Sequence, residues 1–474
     1  GKTDEYKLRI WISDDVNYSN TDRVDDNTDE FNDAQTSTGK YNGYKYSLKV
    51  KVTSGIASST EIGNVSLNKL TFTTTIEDAN GLKSYAVTTT PSVPADDSSE
   101  WIDLTTTAKS GVVRTSNITT KTIEYMVKKN GIHYLHVKNS LNQVKTKSFT
   151  ANATGENAVD KIVGLATTNT NELRIDEHEA TGQQTFATKE YRYWGATPNN
   201  YVWFNNELWR IIGAMDVDDG SNPAGTGNVD KRLKIIRANS IGNYSWDSSD
   251  SNTNKGNGVN EWTQSDLMTL LNSGAYYNRT TGNCYNNKEN AIIPCDFSEN
   301  STTPGLTDDA KEMIGNAKWY LGAGNETYTS FTVNNYYTNE RKNNAAKQCV
   351  QDEEYCSDIV ERKTYWTGQI GLMYPSDYGY SANMTSCSST TLSSYATLCK
   401  GSAWLFNNAI QWTLSPRSHS SYASLAFFVG STGNLSTDSR VYAATAVFPV
   451  TYLLPSIQIL DGEGTTERPF VLSK

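Results

Sequence analysis

The sequence predicts a mainly β, multidomain chain. Short alternations of apolar and polar residues recur, as in Leu70–Ile76 and Lys83–Thr88, and turn dipeptides such as Asn80-Gly81 separate them. Asn, Ser, Thr and Tyr dominate while charged residues make up only 20%, the composition of an exported β-rich protein. A length of 474 residues suffices for about three domains.

Residues 1–55 hold two alternating strands. Leu8, Ile10 and Ile12 face one way, and Leu48, Val50 and Val52 repeat the pattern around Lys49 and Lys51. Two strands are marginal alone, so this element reads as a partial sandwich or a strand-addition segment. Residues 56–152 add the runs Thr122–Val127 and His133–Val137 and the turn Asn130-Gly131. Their spacing suits an immunoglobulin-like β-sandwich serving as a spacer. His133 and His136 lie three apart on a strand and so face opposite ways, which argues against a shared metal.

Residues 153–474 are expected to form a larger α+β domain. A helix is predicted over Ala158–Leu165, then strands over Tyr201–Phe204, Glu207–Ile212 and Leu233–Ile236. The Asp216–Asp230 stretch between the last two reads as a loop. A helix is expected over Thr263–Leu271, with Thr263 as N-cap and Asp266 in the capping-box position. A second is expected over Asp308–Tyr320, where Ala310, Met313, Ile314 and Ala317 share a face.

Net charge is −10, which argues against nucleic acid and against an anionic membrane surface. No apolar run is long enough to span a bilayer, and no leader is visible at Gly1. A membrane link is expected only through a missing N-terminal anchor. The six cysteines fall into three local pairs, Cys284/Cys295, Cys349/Cys356 and Cys387/Cys399. Local pairing is the simplest of 15 connectivities, and each such bridge contributes about 2–3 kcal/mol.

Chemistry-bearing motifs are scarce. No Gly-x-Ser-x-Gly, His-Glu-x-x-His or phosphate-binding loop occurs, so no catalytic residue is assigned and the chain is not read as an enzyme. Glu177-His178-Glu179 reads as a solvated cluster in a polar loop. Asp216, Asp218 and Asp219 have Ca²⁺-like spacing without the closing bidentate Glu. They form the one candidate cofactor site, against the alternative of a solvated hairpin loop.

The terminal segment is the most distinctive. From Thr413 to Ile457 there is no Lys, Glu, Gln, Met or Trp. Codons ending in C or T cannot encode those five residues, and randomising the adenines of Asn codons yields such codons. An ordinary Ser/Tyr-rich tail would look similar. Within it Arg417, His419, Tyr422, Ser424, Asp438, Arg440 and Tyr442 are the candidate ligand-binding residues, because Tyr and Arg give large contact area with adaptable hydrogen bonds. Arg417–Ser424 and Leu435–Tyr442 are expected to be mostly exposed, Phe427–Val429 and Val447–Val450 mostly core.

The ordered motifs Arg192-Tyr-Trp-Gly-Ala-Thr-Pro198, Tyr201-Val-Trp-Phe-Asn-Asn-Glu207-Leu-Trp209, Ser240-Ile-Gly-Asn-Tyr244-Ser-Trp246-Asp247, Tyr374-Pro-Ser-Asp377-Tyr378, Trp412-Thr-Leu-Ser-Pro416 and Gly462–Leu472 resemble a family of bacterial surface domains. The resemblance implies a C-type-lectin-like fold of the formylglycine-generating-enzyme type, used as a binding module. It is also similar to the variable proteins of diversity-generating retroelements. The chain departs from the family at Phe448, Thr451 and Leu454, where Arg, a hydrophobe and Lys are expected. Residues 1–55 resemble the final strands of the camelysin/TasA-like sandwich.

The expected whole is an extracellular, bacterial cell-surface adhesin. Its partner would be a host or bacterial surface protein or a glycan. The alternative is a self-assembling filament or matrix subunit joined by strand addition through residues 1–55.

Overall fold

A computed structural model describes residues 58–104, 118–223, 225–248, 258–286, 291–324, 327–347, 360–419, 422–437 and 440–474. The strands expected within residues 1–55, together with Cys349, Cys356 and Asp438, lie outside the described residues.

The structure is mainly β. Residues 58–153 fold as two four-stranded sheets around one core. In the first, Thr71–Glu77 pairs with Glu61–Ile62, Ser66–Asn68 and Thr120–Met126. The second runs Ile102–Asp103, Leu82–Thr88, Gly131–Asn139, Val144–Ala151. The predicted alternation is what builds the core. Phe72 and Ile76 point inward from the first sheet to meet Tyr85, Leu135 and Phe149 of the second, with the Phe72 and Phe149 rings 4.6 Å apart. His133 stacks on Phe149, while His136 sits between the hydroxyls of Thr88 and Thr146.

The large domain centres on a ten-stranded sheet. Its main path runs Ile370–Gly371, Val450–Tyr452, Val229–Arg237, Glu207–Asp218, Tyr201–Phe204, Phe470–Ser473, Gln458–Asp461, Glu156–Asn157. Leu173–His178 and Thr188–Tyr193 join at Glu207–Asp218. The domain's first strand, Glu156–Asn157, thus pairs with Gln458–Asp461 near the end of the sequence. Asn157 caps the helix Ala158–Thr168 by accepting from the Val159 and Asp160 amides.

The two parts share a core. Leu460 and Val471 of the last two strands pack into the sandwich cluster, and the Asp461 carboxylate accepts from the Leu70 amide at 3.1 Å and from the Thr71 hydroxyl. Lys128 lies over the Trp203 ring. Among the described residues, no helix is long and apolar enough to cross a membrane.

Four local expectations are corrected. The Thr263 cap fails: Trp262–Gln264 is a 3₁₀ turn, and Ser265 caps the helix Asp266–Asn272 through the Met268 amide. Ser265 wins because it sits directly before the Leu267/Leu270/Leu271 face, which is buried as expected. The helix at Asp308 stops at Met313. Ala317–Tyr320 is instead a strand paired with Tyr365–Gly368, where aromatic cross-strand packing overrides the helical spacing. Glu177-His178 ends a strand, not a loop. The Asp216–Asp230 loop is shorter than expected, since paired strands reach Asp218 and resume at Val229.

Candidate functional site

A second sheet carries the terminal segment. It runs Asn243–Tyr244, Thr445–Ala446, Gln411–Pro416, Ala426–Val429, Leu435–Ser436, and every residue of its last four strands is buried. Trp412 anchors it, its ring edge-on to Phe428 and its indole N–H donating to the Tyr244 carbonyl at 3.0 Å. Phe427–Val429 and Val447–Val450 are thus core, with only Phe448 half-buried.

The scaffold holds this segment by its backbone. Buried Asn260 donates to the carbonyls of Arg417 and Leu425 at 2.8 and 2.7 Å, and its amide donates to Ala423. Buried Arg362 orients Asn260 and reaches the Ala423 carbonyl. The Trp246 and Asp247 amides both donate to the Val441 carbonyl, and the Ser245 hydroxyl donates to that of Tyr442. Within the segment, the Arg417 amide bonds Leu425 and the Val441 amide bonds Ser424. None of these bonds uses a side chain from Arg417 to Tyr442.

The side chains form two groups. Arg440 lies over the Tyr422 ring at 4.0 Å and donates to the Ser424 hydroxyl at 3.2 Å, while His419 contacts Tyr422 at 4.8 Å. Arg417 lies over Tyr328 at 4.8 Å and donates to the Thr437 hydroxyl, which donates to the Tyr328 hydroxyl. Tyr328 and Thr437 were not picked out from sequence, and Tyr328 sits in a distant Thr-rich loop with no local signal. Arg417, His419, Tyr422, Arg440 and Tyr442 are half-buried, and Ser424 is fully buried. The segment is therefore less exposed than expected, because neighbouring loops and its own aromatic–cation pairs cover it. Phe448 and Leu454 pack against the large core, and Thr451 donates to the Gln369 carbonyl.

A second polar cluster lies deep inside the domain. Asp377 is its hub: it accepts from Lys234 at 2.5 Å, from Arg192 at 3.0 Å and from the Tyr374 amide at 2.8 Å. Burial alone would raise the Asp377 pKa, but Lys234 and Arg192 outweigh it and hold the carboxyl down to about 2. Arg192 forks onto Glu190. Glu340 accepts from the Ser376 amide and hydroxyl, and burial pushes it up to about 7 against the pull of Arg341. Tyr337 carries His178 stacked at 3.6 Å and the Arg341 guanidinium at 3.5 Å. Burial, with Arg192, Arg341 and Arg174 nearby, drives His178 down to about 4 despite Glu190. The adjoining void measures about 20 Å³, room for one water.

The Asp216, Asp218 and Asp219 carboxylates are spent on protein donors. Asp216 accepts from Lys231 and the Lys189 amide, Asp218 from the Gly220 and Gly227 amides, and Asp219 from the Ser221 and Asn228 amides. They close the hairpin loop between Asp218 and Val229. Among the described residues no group of three His, Cys, Asp or Glu side chains is placed to hold a metal. Disulfides Cys284–Cys295 and Cys387–Cys399 form as the local pairing predicts. The first closes the hairpin Thr281–Asp296. The second staples the turn whose Lys400 packs on Gly433, beside the terminal segment.

Compared with known proteins, the chain matches no family profile, no curated protein and no solved structure.

Proposed function

We propose that this chain is a bacterial cell-surface ligand-binding protein or adhesin, and that it recognises its partner through the Arg417–Tyr442 face. One observation carries the reading: buried Asn260, Arg362 and Trp246 hold that segment through main-chain groups. Its Arg, Tyr and His side chains, each half-exposed, take no part in those anchoring bonds. Such a division suits a surface whose specificity lies in its side chains. In this reading residues 56–152 are an immunoglobulin-like spacer and residues 153–474 a C-type-lectin-like domain. The absence of Lys, Glu, Gln, Met and Trp between Thr413 and Ile457 suits retroelement-driven diversification of the same face. The partner is a surface protein or a glycan.

The test is a screen of the full chain on glycan and surface-protein arrays. Beside it runs a variant with Arg417, His419, Tyr422, Arg440 and Tyr442 changed to Ala. Binding lost in a variant that stays folded supports the reading. Binding unchanged in the variant moves recognition elsewhere, and no binding by the parent counts against an adhesin.

A further inference from the structure

Between Thr413 and Ile457 the only residues carrying a full charge at pH 7 are Arg417, Asp438 and Arg440. Neither guanidinium has a carboxylate partner among the described residues; their contacts are the Thr437 and Ser424 hydroxyls and the Tyr328 and Tyr422 rings. The protein carries a net charge of −10, yet among the described residues these two half-buried arginines meet hydroxyls and rings where a carboxylate would satisfy them better. Burying cationic surface without a counter-charge costs stability; an incoming anion recovers that cost.

The register places the pair. Pro416 pairs with Ala426, the Arg417 amide bonds Leu425, and Leu425 bridges Arg440. The Arg417 and Arg440 backbones therefore lie in one row on either side of Leu425, two strand spacings or about 10 Å apart. The rings beneath fix both guanidiniums in orientation, the arrangement in which Arg binds a carboxylate most effectively.

The row also argues against an extended peptide. The main-chain groups a peptide strand would need are already used, since the Arg417, Ser418 and Val441 amides bond Leu425, Gly324 and Ser424. Recognition must go through side chains, which here offer guanidiniums, hydroxyls and aromatic rings. That set matches a polyhydroxylated acid.

Building on the recognition role proposed above, we propose that Arg417 and Arg440 form an anion subsite for an acidic oligosaccharide. The guanidiniums take its carboxylate, and the hydroxyls of Tyr328 and Tyr422 meet its ring hydroxyls. The test is calorimetric titration of the full chain at low salt with sialyllactose, neutral lactose and hexaglutamate. Sialyllactose should bind, and lactose should bind at least about tenfold more weakly. Arg417→Ala and Arg440→Ala should each lose about tenfold or more with an unchanged thermal transition, while Arg440→Lys should retain part of the affinity. Added salt should weaken binding. Equal affinity for lactose, or no loss in either Ala variant, overturns the subsite. Hexaglutamate binding through the same arginines with sialyllactose silent overturns the glycan class. Silence towards all three probes, with a neutral ligand still captured by this face on the arrays, overturns the anion subsite and leaves the recognition role standing.

Discussion

The Arg417–Tyr442 face and the Asp377 network are both built from Arg, Tyr and hydroxyl groups, yet they are held in opposite ways. Around Asp377 the side chains partner one another: Lys234 and Arg192 converge on its carboxylate, and Arg192 also forks onto Glu190. On the face, the anchoring bonds run from Asn260, Arg362 and Trp246 to backbone carbonyls. A network held by side chains fixes its sequence, whereas a surface held by its backbone leaves its sequence open. The same residue types thus serve structure in one place and, in the proposed function, recognition in the other.

The largest effect should come from Asp377→Ala. It leaves Lys234 buried without a counter-charge and Arg192 with Glu190 alone, and denaturant titration should show a loss of about 3–5 kcal/mol. A loss under about 1 kcal/mol would mean that the network is not structural. Asn260→Ala tests the other mode of anchoring. It takes one donor from each of the Arg417 and Leu425 carbonyls and one acceptor from Arg362, so we expect a loss of about 1–3 kcal/mol, with faster hydrogen exchange concentrated at residues 417–425 and 441.

A pH series sharpens the network side. Glu340 has its folded pKa raised from 4.5 to about 7, so the folded state holds the extra proton and stability falls as pH rises through that window. His178 has its folded pKa lowered from 6.5 to about 4, so the unfolded state holds the extra proton and stability rises across roughly the same range. The two slopes oppose each other. Glu340→Gln should expose the rising slope between about pH 4 and 6.5, and His178→Phe the falling one. Parallel slopes in both variants would contradict these assignments. The smallest effects should come from the face: Tyr422→Ala and Arg440→Ala should each cost less than about 1 kcal/mol in thermal unfolding.

Much of the fold was legible because its signals are local. The alternation at Leu70–Ile76 and the Asn80-Gly81 and Asn130-Gly131 turns fixed the sandwich strands, and loop spacing paired Cys284 with Cys295 and Cys387 with Cys399. What failed was decided by distant partners. Ala317–Tyr320 has helical spacing but becomes a strand because Tyr365–Gly368 lies alongside it. His178 looked solvated because Tyr337, which covers it, is 159 residues away in sequence (337 − 178). The same holds for the face. Sequence singled out Tyr422 and Arg440, which meet locally, but not Tyr328, Asn260 or Arg362, whose roles exist only once the chain is folded.

The central claim, that the scaffold grips the face by its backbone so that its side chains do not carry the fold, is most directly tested by a saturation-mutagenesis display scan scored for folding alone. The account predicts that positions 417, 419, 422, 440 and 442 accept most amino acids, while Arg192, Lys234, Asn260, Arg362 and Asp377 accept almost none. Face positions as intolerant as Asp377 would contradict it.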